Sequence, residues 1–112
     1  MPNERNTEAI VRNHFQRYRN YIRLEEQQSS IPKIEKLLKN ASKKGTGVGR
    51  PEFIITYKDN SEFLIVIECK SDVKKHESKT KDRFSEYAVD GVLLYSSYLS
   101  KEYDVLAIAV SG

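Results

Sequence analysis

The chain has 112 residues, of which 38% are hydrophobic and 31% charged, with a net charge of +3. That length suits one small domain, and the longest apolar run, Phe63 to Ile67, is far too short to span a membrane. The one cysteine, Cys69, excludes an internal disulfide framework and a cysteine-rich zinc site, and the polar start shows no secretion signal, so the chain reads as intracellular and cytoplasmic.

Taken in chain order, Asn6 or Thr7 suits a helix N-cap. Beyond it Ile10, Val11, His14, Phe15, Tyr18, Tyr21 and Ile22 recur at helical steps. They predict an amphipathic helix from Thr7 to the Glu25–Gln28 region, with His14 packed on its apolar face. Ser29-Ser30-Ile31-Pro32 resets the chain, because serine caps helices and proline fits a first helical turn. Ile34, Leu37, Leu38 and Ala41 mark a second helix ending near Lys44. Gly45, Gly47 and Gly49 then form a pliable loop.

The period next changes from helix to strand. Phe53 to Tyr57 is rich in strand formers, and Lys58-Asp59-Asn60-Ser61 is a turn signal. Phe63 to Lys70 is a nearly continuous apolar strand, of the kind covered on both faces and central in its sheet. Ser71 to Asp82 is a charged loop. Phe84, Tyr87, Ala88, Val92, Tyr95 and Leu99 predict a third helix, and Asp104 to Val110 a further buried strand. A strand reached through a helix is expected to lie parallel to a strand of the hairpin. The result is an α/β fold: a mixed sheet with a central β-hairpin, flanked by helices. An end immediately after a buried strand reads as a domain cut from something longer.

Charge is unevenly placed. Lys33 to Arg50 holds six basic residues and one acid, and Lys70 to Arg83 six basic residues and three acids. Such clusters suit a polyanion partner, although a solvated lysine face is the plainer account. The residues with chemistry lie at strand ends. Glu52 follows Pro51 and opens one hairpin strand; Glu68 and Lys70 close the other. Alternation along a strand puts Glu68 and Lys70 on one face and Cys69, a small core residue, on the other. If Lys58 pairs with Glu62, Glu52 lies across from Glu68. If the turn closes one residue tighter, Glu52 faces Ile67 and a bulge is needed to restore the face. Two carboxylates a few Å apart repel, and a hard divalent cation such as Mg²⁺ relieves that repulsion.

Pro51-Glu52, fifteen residues and then Glu68-Cys69-Lys70 resemble the signature of the PD-(D/E)xK nuclease superfamily. The stretches EEQQSS, GVGRPEFIIT, IVIECKSD, YAVDGVLLY and YDVLAIAVSG resemble the N-terminal endonuclease region of restriction-modification polypeptides. The resemblance implies a restriction-endonuclease-like core over residues 1–112, a single domain of a longer protein with a methyltransferase or helicase module downstream. It implies metal ligation by Glu52, Glu68 and the Cys69 carbonyl, with Mg²⁺ as the ion and Mn²⁺ as a substitute, and catalysis by Lys70. Family members add a glutamate from the first helix. Glu26, Glu25, Glu8 and Glu35 compete for that role, and Glu26 is favoured by its position. Tyr87, Asp90 and Tyr95 stand where polar support of the site is placed.

The family core also has a strand before the acidic one, which here is degenerate or made elsewhere. Lys43, Lys44, Arg50, Lys74, Lys75, Lys79 and Lys81 would hold the backbone of double-stranded DNA. Cutting both strands would call for a second copy on the DNA. A second reading keeps the fold and the binding but not the chemistry: an inactive DNA-binding or assembly module. His76, in a loop of lysines, is expected to be solvated, and the seven tyrosines to be packing residues by default.

Overall fold

A computed structural model describes residues 4–112. The elements are α1 (Glu4–Gln16), β1 (Ile22–Glu25), α2 (Pro32–Leu38), β2 (Phe53–Tyr57), β3 (Asn60–Lys70), a short 3₁₀ turn (Val73–Lys75), α3 (Ala88–Leu99) and β4 (Asp104–Ser111). The four strands form one mixed sheet in the order β1-β2-β3-β4. The α/β class and the central hairpin follow the sequence expectation. So does β4, which pairs parallel with β3 from Phe63↔Asp104 to Lys70↔Ser111.

Period 2 divides the core between the two faces of the sheet. Ile54, Leu64 and Val66 point to the face covered by Ile34 and Leu38 of α2 and by Val92, Tyr95 and Leu99 of α3. Phe53, Ile55, Ile65, Ile67 and Cys69 point to the other face, against Val11 of α1. Cys69 is therefore a core residue on the face opposite Glu68, and desolvation pushes its thiol up to about 12. No helix among the described residues is long and apolar enough to cross a membrane.

The first predicted helix needs correction. It ends at Gln16, well before the Glu25–Gln28 region, and Ile22–Glu25 becomes the edge strand, paired antiparallel with β2 from Ile22↔Tyr57 to Glu25↔Ile54. Pairing to β2 overrides a helical period that the sequence alone extends. This edge strand lies before α2, and no strand forms between α2 and β2 among the described residues. His14, inside α1, is exposed and lies edge-on to Phe15 instead of in the core. Both proposed caps fall inside α1. The Thr7 hydroxyl instead donates to the Gly112 carbonyl at 3.1 Å, tying α1 to the end of β4.

The hairpin turn is tighter than expected, with Tyr57 paired to Asn60. A register shift between Thr56 and Tyr57 absorbs the difference, and the ladder then runs Thr56↔Leu64 to Phe53↔Ile67. Extending it by one step sets Glu52 across from Glu68. α2 stops at Leu38, short of Lys44, and α3 begins at Ala88, after Phe84 has passed through a separate turn.

The glycine loop is less pliable than its composition suggests. Gly45 and Gly47 do take positive φ values of 92° and 95°. Gly49 is instead clamped: its N–H donates to the Leu38 carbonyl at 2.7 Å. A Cβ there would stand 2.9 Å from the Ala41 Cβ, the Ala41 carbonyl and the Tyr95 ring. Gly49→Ala should therefore destabilise the fold by about 1–3 kcal/mol in urea denaturation, whereas Gly45→Ala should show only the smaller cost of a left-handed backbone.

Candidate functional site

The site is organised by Glu68, at the end of the central strand and 1% exposed. A buried carboxylate is costly unless its oxygens are satisfied. Here Oε1 accepts from the Glu52 backbone N–H at 2.9 Å and Oε2 from the Lys43 ammonium at 2.8 Å. Burial pushes the Glu68 carboxyl up from its ordinary range, and Lys43 pulls the other way. Lys43, expected from sequence to contact DNA, instead forms a buried ion pair with Glu68.

Glu52 precedes the first residue of β2, and its carboxylate does not pair with Glu68. It joins Glu4 and Glu8 of α1, with ligand oxygens of all three within 4.8 Å of one another. Gln27 donates to its Oε2 at 3.1 Å. Desolvation, then the charges of Glu68, Glu8 and Glu4, push the Glu52 carboxyl up to about 7. Glu8 is raised as well, by burial and then by Glu4. Lys70 closes the group: its ammonium lies 3.5 Å from Glu4 Oε1 and donates to the Ser85 carbonyl at 3.0 Å.

The four competing glutamates are sorted by their partners. Glu26 sits in the fork of Arg12, with Nε to Oε2 at 2.8 Å and the second arm to Oε1 at 2.6 Å, and that bond lowers its carboxyl. Glu25 accepts from the Ser29 hydroxyl and the Ser30 N–H, and Glu35 from the Ser29 N–H; both shape the turn into α2. Glu8 is the one beside Glu52. Glu4 was not among the candidates. A helical step of four from Glu4 to Glu8 was the available signal, because it puts both on one face.

Glu52 also lines an open cleft of about 440 Å³ with Gln27, Lys43, Lys44, Arg50, Ser85 and Tyr95. Lys44 and Arg50 are exposed there. The other predicted DNA contacts lie on the loop that follows β3. Lys74 and Lys79 are exposed, Lys75 is 3.9 Å from Glu86 with its ammonium over the Tyr87 ring, and Lys81 is 2.9 Å from Glu77. His76 is exposed as expected, though its Nδ1 lies 2.6 Å from the Ser111 hydroxyl.

Asp90 does not reach the cleft. It is fully buried and accepts from the Ser78 hydroxyl, the Ser78 N–H at 3.1 Å and the Arg83 N–H at 2.8 Å. Against the desolvation that would raise it, these bonds hold its carboxyl below the usual range. Asp90 therefore pins the lysine-bearing loop to α3. Asp90→Ala should expose residues 78–83 to limited proteolysis and lower the thermal midpoint. Ser78→Ala should do so more weakly, because the two backbone donors remain.

The cluster's donors are all hard carboxylate oxygens carrying like charge, with Lys70 as the nearby cation. That donor set fits a hard divalent ion of the Mg²⁺ type better than a soft one. Glu68 fits less directly, since both its oxygens already have donors.

No family model matches the chain, and no solved structure matches it. Among curated proteins the chain is similar to the type II restriction enzyme and methyltransferase RM.BcgI of Heyndrickxia coagulans, at 32% identity over 105 residues. The match covers 81% of this chain but only 16% of that protein. This distant likeness supports a relationship to a restriction system.

The raised Glu52 carboxyl has a consequence for stability. Its folded value, about 7, exceeds the ordinary 4.5, so folding favours the protonated form. Stability is greatest below the ordinary value, falls as pH rises between the two, and stays low above pH 7. Glu52→Gln should therefore raise the thermal midpoint at pH 8, and the gain should close as pH falls to 5.

Proposed function

We propose that this chain is a metal-dependent endonuclease domain of the PD-(D/E)xK type, hydrolysing DNA phosphodiester bonds as part of a restriction system. The observation that carries this reading is the convergence of Glu52, Glu4, Glu8 and Lys70 at the rim of the sheet, where Glu52 shares a cleft with Lys44 and Arg50. The likeness to part of a restriction enzyme supports it.

Mg²⁺, with Mn²⁺ as a substitute, supplies a Lewis acid that polarises a phosphate oxygen and makes a bound water more acidic. Glu52 and Glu8 would hold it, with Glu4 beside them. Glu68 and the Cys69 carbonyl would join once Lys43 releases Glu68 Oε2. Lys70 has a short reach, fixed by the Ser85 carbonyl, and would orient the attacking water or meet the charge that builds on the phosphate. Lys44 and Arg50 would seat the phosphate backbone of duplex DNA, and Lys74 and Lys79 would extend that contact. Recognition of sequence falls to other parts of the system, among them a linked methyltransferase module. Cutting both strands takes a second copy of the site.

The Lys43–Glu68 ion pair favours one other reading, a binding module in which a lysine takes the place of a cation. Nicking of supercoiled plasmid in Mg²⁺ or Mn²⁺ separates the two. Lys70→Ala and Glu52→Ala should each lower nicking about a hundredfold or more while the fold is kept. Equal nicking by both variants overturns the nuclease reading. Duplex binding by the unmodified chain with no nicking in either metal establishes the binding module instead.

A further inference from the structure

We propose that the end of the sheet remote from the acidic cluster is a binding surface for unpaired nucleic acid, where exposed tyrosine rings stack on bases and basic side chains hold phosphates. The surface is built by the turn after α1 and the β2–β3 turn. Residues 17–21 are all exposed, and the Lys58 N–H donates to the Tyr21 carbonyl at 3.0 Å, fastening one turn to the other. Tyr21 is 68% exposed, Tyr18 45% and Tyr57 37%. Tyr18 and Tyr57 line a shallow groove of about 240 Å³ whose floor includes Ile22 and Ile55. Tyr18 and Tyr57 share that groove and Tyr21 stands exposed on the adjoining turn; large rings left in water at one end of the sheet mark an interaction surface rather than scattered packing residues.

Charge identifies the occupant. Arg12 to Arg23 contains four arginines and no acid. Arg12 is taken by Glu26, but among the described residues Arg17, Arg19 and Lys58 are in no ion pair. Asp59, next to Lys58, is the acid nearest in sequence. A two-fold contact between copies would set the same arginines against each other, which disfavours self-association through this face. A polyanion removes that conflict, and a polyanion with exposed planar bases also uses the rings. Stacking on tyrosine with cations tracking the backbone is the general mode of single-strand binding. Duplex DNA, whose bases are paired and stacked inside, offers the rings nothing.

This inference does not rest on the nuclease reading. Glu52 and Tyr57 stand at opposite ends of β2, about 17 Å apart at the strand rise, so the two sites fail or succeed separately. The test is fluorescence anisotropy of labelled oligo(dT) of about twelve nucleotides, in EDTA so that no divalent ion contributes. The intact chain should bind it. Tyr18→Ala/Tyr21→Ala should weaken binding about tenfold or more, and Tyr18→Phe/Tyr21→Phe should restore it. Arg17→Gln/Arg19→Gln should lower the slope of log affinity against log salt by about 1.4.

All four positions are exposed, and unchanged thermal midpoints will confirm that the variants fold. Equal binding by the intact chain and both loss variants overturns the proposal. So does absence of oligo(dT) binding, or self-association that the tyrosine variant abolishes, which would assign the face to protein contact. Absence of plasmid nicking by the intact chain, with oligo(dT) binding present, would count against the nuclease reading alone.

Discussion

A buried carboxylate governs this molecule. Glu68 lies two residues before the end of β3, after four buried apolar residues, and it is more deeply enclosed than a charge is ordinarily tolerated. Its two satisfying bonds have different structural effects. The bond from the Glu52 N–H holds the entry of β2 against the exit of β3 where the ladder itself has stopped. The bond from Lys43 draws the segment after α2 over the rim of the sheet. The cleft beside Glu52 exists because that segment is held there. Gly91 lies beside the same carboxylate, but its lack of a Cβ is required by the Phe84 carbonyl, which a Cβ would meet at 2.9 Å, and not by Glu68 Oε2, an ordinary contact at 3.5 Å.

With Glu68 occupied, the neighbouring acids have no comparable relief. Among the described residues the Glu52 carboxylate accepts one hydrogen bond, from Gln27, and faces Glu4 and Glu8. Other acids near the first helix and the turn into α2 each have a structural partner: Glu26 has Arg12, while Glu25 and Glu35 have the serine turn. The contrast is informative. A fold that matches most of its carboxylates to donors yet gathers three at one rim places like charges together there. Burial and that crowding together raise the Glu52 carboxyl.

Much of this was legible in the sequence because it depends on short-range alternation. Period 2 in β3 placed Glu68 and Cys69 on opposite faces, and the apolar run placed the strand at the centre of the sheet. The ladder that carries Glu52 toward Glu68 was one of two registers open to the hairpin. The turn is nevertheless tighter than either, and a register shift reconciles them. What could not be read was which side chain satisfies which. Nothing in the order of residues says that Lys43 would ion-pair with Glu68, since its neighbour Lys44 is chemically identical and stays exposed. The choice among Glu8, Glu25, Glu26 and Glu35 was equally hidden, because it depends on the tertiary positions of Arg12 and Ser29. Asp90 looked like site support on the same grounds, yet three donors from residues 78 and 83 turn it into the anchor of a loop.

The misread first helix ties the two ends of the molecule together. Tyr18, Tyr21 and Ile22 extend a helical period, yet α1 stops before them. Had the helix continued, all three would have been assigned to a buried stripe. The chain instead turns to lay Ile22–Glu25 beside β2, which buries Ile22 and leaves both tyrosines in water. The same arrest sets the length of α1, so that it runs from the acids of Glu4 and Glu8 at one end of the sheet to the Tyr18 turn at the other. Sheet pairing outcompetes the helix here because β2, held by β3 on one side, offers its other edge to Ile22–Glu25. A single competition between helix period and strand pairing therefore places α1's acids beside Glu52 and opens the aromatic, basic surface at the opposite end of the sheet.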